Sequence, residues 1–161
     1  QMLLLSRYDE GEAAATKEEV DLVAVTKAIV EEILPVLNEK GLQVEFAGEA
    51  QTIITTNKSA MTELIRILLD NAMKYTVGTP VITIEAKRNQ LAIGNETEPM
   101  TKEQVSQIFD RFYRVDSSRN RTTGGSGLGL SIAQKIAETN DVQLTAELVS
   151  ETQIRFVIVT K

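Results

Sequence analysis

The hydrophobic period of this chain switches back and forth between helix and strand in a set order, and that order limits the folds open to it. Residues 21 to 39 place Val23, Val25, Ile29, Val30, Ile33, Leu34 and Leu37 at helical spacing. Gly41 is a natural stop, and Pro35 is expected to weaken the last turns. "LQVEFAG" and "QTIIT" alternate and predict two strands, expected to pair with each other. A second helix is predicted from Lys58 to Tyr75, with Met61, Leu64, Ile65, Leu68, Leu69 and Ala72 on one face. "TPVITIEAKRNQLAIGNE" reads as two strands joined by a tight turn at Arg88 to Gln90. Thr101 and Gln104 form a candidate capping box for a short helix running to about Phe109. Residues 114 to 126 read as a long polar loop, followed by a helix from Gly127 to Thr139. "VQLTAELVS" and "TQIRFVIVT" close the chain as two more strands. Strands in adjacent pairs, each pair set off by a helix, predict an α+β fold. The expected form is a two-layer α/β sandwich, with a mixed, mostly antiparallel sheet and about three helices on one face.

Composition narrows the function. With 161 residues and 42% apolar content the chain can bury a core of ordinary size. A formal net charge of −6 argues against a nucleic-acid surface, which neutralises phosphates with Lys and Arg. There is no cysteine, so disulfides and thiolate metal sites are excluded. There is no histidine, which removes the commonest general base and metal ligand. No apolar run approaches the roughly 20 residues that span a bilayer. The first residue is Gln, and the chain is expected to be a piece of something longer. Its opening, "QMLLLSRYDEGEAAATKEE", reads as a helix end passing into a linker near Glu10 to Glu18.

Three stretches carry chemistry. In the second helix, Leu64, Leu68, Asn71 and Tyr75 share one stripe, with Lys74 beside Tyr75. An amide oxygen, an ammonium and a ring at one helix end suit Mg²⁺, phosphate and a base. They equally suit an Asn satisfied by backbone and an Asp70–Lys74 surface pair. In "QIFDRFYRVD", Phe109 and Phe112 are spaced to plug a core edge, while Arg111 and Arg114 are planar forks able to grip phosphate. In "TTGGSGLGLSIAQKIAE", Gly124, Gly125, Gly127 and Gly129 precede a helix whose free N–H groups suit an anion. Leu128 and Leu130 among those glycines are out of place in a spacer, yet the stretch matches neither a Walker nor a Rossmann pattern. Alone, it reads as spacer or phosphate cradle.

Taken in order, "LLDNAMKYT", "IFDRFYRVD" and "GGSGLGLSIA" resemble the N, F and G2 boxes of bacterial sensor histidine kinases. These kinases belong to the gyrase, chaperone, histidine kinase and MutL superfamily, and the likeness covers residues 17 to 161. It implies the catalytic, ATP-binding domain, a Bergerat-type fold, with ATP and Mg²⁺ as ligands. Residues 1 to 16 would be the end of the dimerisation and phosphoacceptor hairpin and its linker. By resemblance, Asn71 would hold Mg²⁺, Lys74 would contact phosphate, and Tyr75 and Phe112 would line the base. Residues 113 to 126 would be an ATP lid, with Arg114 reaching the γ-phosphate. Gly125, Gly127, Leu128 and Gly129 would shape the phosphate side. The implied partners are the chain's own hairpin, whose histidine accepts the phosphoryl group, and a response regulator. The fragment is expected to be a monomer, and the full protein a dimer anchored in the bacterial cell membrane with this domain in the cytoplasm.

Two departures stand out. Where the family's G1 box has Asp-x-Gly-x-Gly, this chain has "NETEP", with Asn95 for the Asp, Thr97 for the first Gly and Pro99 for the second. Asn95 can still accept a hydrogen bond from the adenine amino group, though without charge. The alternative is an interaction domain with a degenerate G1 box that no longer binds nucleotide. Four residues before Asn71, where the superfamily's hydrolases place a water-activating Glu, stands Ile67, which favours a kinase over an ATPase.

Overall fold

The computed structural model describes residues 16–110 and 128–160. Chain entry forms β1 (Glu18–Asp21), and Asp21 ends it by capping α1 (Leu22–Lys40). The Asp21 carboxylate accepts from Val23 N–H at 3.0 Å, and the same oxygen accepts from Thr52 N–H at 3.0 Å. One side chain thus starts a helix and fixes where a distant strand begins. Gly41, left-handed at φ 70°, ends α1 as its spacing foretold. The chain continues through β2 (Gln43–Gly48), β3 (Ile53–Thr56) and α2 (Lys58–Tyr75). Then come β4 (Val81–Lys87), β5 (Gln90–Glu96) and the one-turn α3 (Lys102–Ser106), which opens on the expected Thr101–Gln104 capping box. The last elements are α4 (Gly129–Thr139), β6 (Val142–Ser150) and β7 (Gln153–Thr160).

The main sheet runs β2-β4-β5-β7-β6, with β2–β4 its one parallel pair. Its registers stack apolar rows across the strands. Ile84, Ile93, Phe156 and Ala146 form one row, and Ala86, Leu91, Ile158 and Leu144 the next. These rows join Leu64, Leu68 and Ala72 of α2 and Ile132, Ala133 and Ile136 of α4 in one buried core. Phe109 adds its ring to Phe156 edge-on, centroids 6.0 Å apart, so this aromatic does plug the core edge. The opposite sheet face is polar and carries Arg155 paired with Glu85 and Glu147. The layered architecture is therefore as expected.

The pairing of β2 with β3 is not. β3 pairs antiparallel with β1 in a separate two-stranded sheet, matching Val20 to Ile54. The linker expected up to Glu18 gives way to a strand there. Two contacts explain the exchange. Gly48, at φ 91°, lets β2 stay against β4 to its end, where a Cβ would sit 2.1 Å from the Ala86 carbonyl oxygen. Beyond it, Leu22 N–H donates to Thr52 O at 2.7 Å, which anchors the start of β3 to the β1–α1 junction.

Candidate functional site

The last two turns of α2 carry Asn71, Lys74 and Tyr75, all half-buried. They stand there because the apolar stripe of α2 runs out into polar positions where the helix clears the core. Among the described residues the Asn71 side chain has no hydrogen-bond partner, so the backbone does not satisfy it. Lys74 pairs with Asp70 at 3.1 Å, the i, i+4 contact its spacing allowed. That pair is half-exposed and weak, so the ammonium remains available to an anion. Thr76 closes α2 by donating from both N–H and Oγ1 to the Ala72 carbonyl oxygen.

Beside this helix end lies the end of β5. Asn95 sits in the helix-covered row with Ile82, Ile154 and Leu148 and is 7% exposed. Its Nδ2 donates to the Glu96 carbonyl oxygen at 3.0 Å. A carbonyl can only accept, so this contact settles the flip of the amide and turns Oδ1 away from it. Oδ1 is buried and has no partner among the described residues. An acceptor buried without a donor is costly unless something else supplies one.

The replaced glycines of "NETEP" prove unnecessary to the backbone. Among the described residues positive φ occurs at Gly41, Gly48, Gly78 and Asp141, and at no position from 95 to 100. Thr97 N–H donates to Thr152 O and Met100 N–H to Glu151 O, each at 2.8 Å. The segment is thus laced to the β6–β7 turn, and Thr97 and Pro99 occupy it without strain.

The third wall is the start of α4. Leu128 is buried, and Gly129 is the first helical residue. Among the described residues, a Cβ on Gly129 would meet nothing nearer than Ile67 Cγ2 at 3.8 Å, an ordinary contact. Packing therefore does not require glycine here. The same contact places Ile67, one turn before Asn71, beside the first residue of α4. Phe112, Arg114, Gly125 and Gly127 lie outside the described residues, as does the expected lid. The structure thus sets the end of α2 beside the end of β5, and the start of α4 beside Ile67 of α2. Sequence reasoning missed Glu96, whose carboxylate accepts from Thr79 N–H at 3.1 Å beyond the end of α2. Its one signal was its place beside Asn95 at a strand end.

Comparison with known proteins decides the family. Residues 56–161 match the family described as histidine kinase-, DNA gyrase B- and HSP90-like ATPase. The chain belongs to this family. Within it, the chain corresponds to the catalytic, ATP-binding domain of bacterial histidine kinases. It is 32% identical over 150 residues to the sensor histidine kinase YkoH of Bacillus subtilis, covering 91% of this chain and 32% of that protein. The chain thus spans about a third of the length of such relatives. The Acinetobacter baumannii histidine kinase AdeS superposes with a TM-score of 0.75 at 17% identity, over 99% of this chain and 75% of that one. The mycobacterial sensor histidine kinase MprB superposes with a TM-score of 0.71 at 19% identity, over 89% and 97%. These likenesses bear out the layered fold.

Proposed function

We propose that this domain binds Mg²⁺–ATP and serves a two-component sensor histidine kinase. The γ-phosphoryl group would pass to an imidazole nitrogen of a histidine, releasing ADP, and later to an aspartate of a response regulator. The single observation that carries the reading is the buried, partnerless Oδ1 of Asn95. It offers an acceptor where the adenine amino group would donate, and its flip is fixed by a partner that cannot donate.

Around that anchor each residue has a task. Tyr75 would lie against the base. The free amide oxygen of Asn71 would hold Mg²⁺, and no group of three or more His, Cys, Asp or Glu among the described residues offers the ion an alternative. Bound there, Mg²⁺ would offset charge on the triphosphate and the departing ADP. Lys74 and the first amides of α4 would do the same for the phosphate oxygens, and the missing side chain of Gly129 would let them approach. Phe112, Arg114, Gly125 and Gly127 would close the site from the lid side. Ile67 would line the phosphate end with methyl groups, and its side chain cannot prepare water for attack. Transfer to a protein acceptor is thus favoured over hydrolysis.

The chain has no histidine, so the acceptor belongs to another segment or subunit. The fragment would be monomeric and unable to phosphorylate itself. The full protein would be a membrane-anchored dimer with this domain in the cytoplasm, and no helix among the described residues is long and apolar enough to cross a membrane. Calorimetry with Mg²⁺–ATP tests the binding step. The wild-type chain should bind and Asn71→Ala should not, whereas no heat from either would establish the degenerate interaction domain instead. Incubation with labelled ATP should leave no acid-labile phosphoadduct on the fragment.

A further inference from the structure

The loop after α2 is tied to β2 by one bond, from Gln43 N–H to Pro80 O at 3.0 Å. Residues 77–80 run exposed to β4, and Gly78 adopts φ 68°. Two contacts bind this loop to β5, and both end on Glu96. Val77 N–H donates to the Glu96 main-chain oxygen at 3.1 Å, and Thr79 N–H donates to Glu96 Oε1 at 3.1 Å. The carboxylate lies so close that a Cβ on Gly78 would stand 2.2 Å from Oε2. Glycine at 78 therefore answers both the left-handed backbone and the closeness of Glu96. The same main-chain oxygen also takes the Asn95 amide. One residue meets the base-reading side chain on one side and the end of α2 on the other.

We infer that Glu96 is a positioning residue of the nucleotide site, its carboxylate holding residues 76–80 so that the helix end bearing Lys74 and Tyr75 keeps its place beside Asn95. This rests on the nucleotide reading above. Thr79 N–H holds the Glu96 carboxyl below its usual value, so the ionised form is the one that grips the loop. A glutamine retains an acceptor oxygen of the same reach, whereas alanine retains none.

The test compares the wild-type chain with Glu96→Ala and Glu96→Gln. Mg²⁺–ATP affinity is measured by calorimetry, Thr79 amide protection by hydrogen exchange, and folding by thermal melting. Glu96→Ala should lose Thr79 protection and bind ATP about fivefold or more weakly while still folded at the titration temperature. Glu96→Gln should restore both to within about twofold of wild type. Wild-type affinity in Glu96→Ala, or Glu96→Gln as weak as Glu96→Ala, would overturn the positioning role. So would weakening that merely follows partial unfolding. A wild-type chain that binds no ATP would remove the nucleotide reading itself, and this role with it.

Discussion

Asn95 and Asn140 are 7% and 1% exposed, and each leaves its amide oxygen without a partner among the described residues. Their surroundings separate them. Asn140 closes α4: its Nδ2 donates to Ile136 O at 2.8 Å, and its main-chain N–H to Ile136 O and Ala137 O at 3.1 Å. Its carbonyl accepts from Thr56 Oγ1 at 3.4 Å, and the next residue, Asp141, turns left-handed at φ 60°. That is a helix end locked into a two-stranded sheet. Asn95 also has a single side-chain bond, but to the carbonyl of the next residue, at a strand end that meets the loop after α2. Identical chemistry thus closes a helix in one place and, in the other, stands at a strand end where we propose a ligand. Each side-chain amide donates to one carbonyl, and the difference lies in what the main chain does around it.

Substitutions can break this contrast. The largest effect is expected at Asn140→Ala, which removes a helix-closing bond inside the core and should cost about 2 kcal/mol in urea unfolding. ATP affinity of the folded variant should be unchanged. Asn95→Leu should show the reverse pattern. Nucleotide affinity should fall about tenfold by calorimetry, while stability stays within about 1 kcal/mol of wild type, since the change also removes a buried unpaired oxygen. If both variants lost stability and neither lost affinity, the two asparagines would be equivalent and the site reading wrong.

Gly129→Ala sharpens the comparison at the phosphate end. The position has no positive φ and has room for a methyl, so thermal stability should hold or rise by up to about 1 kcal/mol. ATP affinity should nonetheless fall, because the methyl would stand where the triphosphate approaches.

The smallest effect is a pH dependence. The Thr79 N–H holds the Glu96 carboxyl below its usual value of 4.5. A depressed carboxyl contributes stability above its unfolded value, and that contribution is lost as pH falls through its folded value. Melting curves from neutral pH down past 4.5 should therefore show a loss that Glu96→Gln lacks.

Much of this was legible in the residues. The stripe of α2, the stop at Gly41 and the Thr101 capping box are local, and each was found where its residues put it. The partners of the strands were not legible. β3 lies four residues beyond β2 and was expected to pair with it, but "EEVD" at the chain entry takes it instead. One buried valine, Val20, is too little pattern to reveal a strand. The choice was made by Asp21 and Thr52, 31 residues apart. For the proposed site, Asn71, Lys74, Tyr75, Asn95 and Gly129 were named from motif order as candidates, while the grip of Glu96 on the loop after α2 could not be. Its contacts join elements that meet only once the sheet and helices have packed.

The sequence by itself determined the helices, the strands after β1, the family, and the residue types offered to a nucleotide, because period, capping and motif spacing act over a few residues. The tertiary structure decided which strands pair, which way the Asn95 amide faces, and what holds the end of α2 in place. The strand pairing and the hold on α2 depend on hydrogen-bond partners brought together from distant parts of the chain, and the amide's direction on a backbone geometry that no residue pattern records.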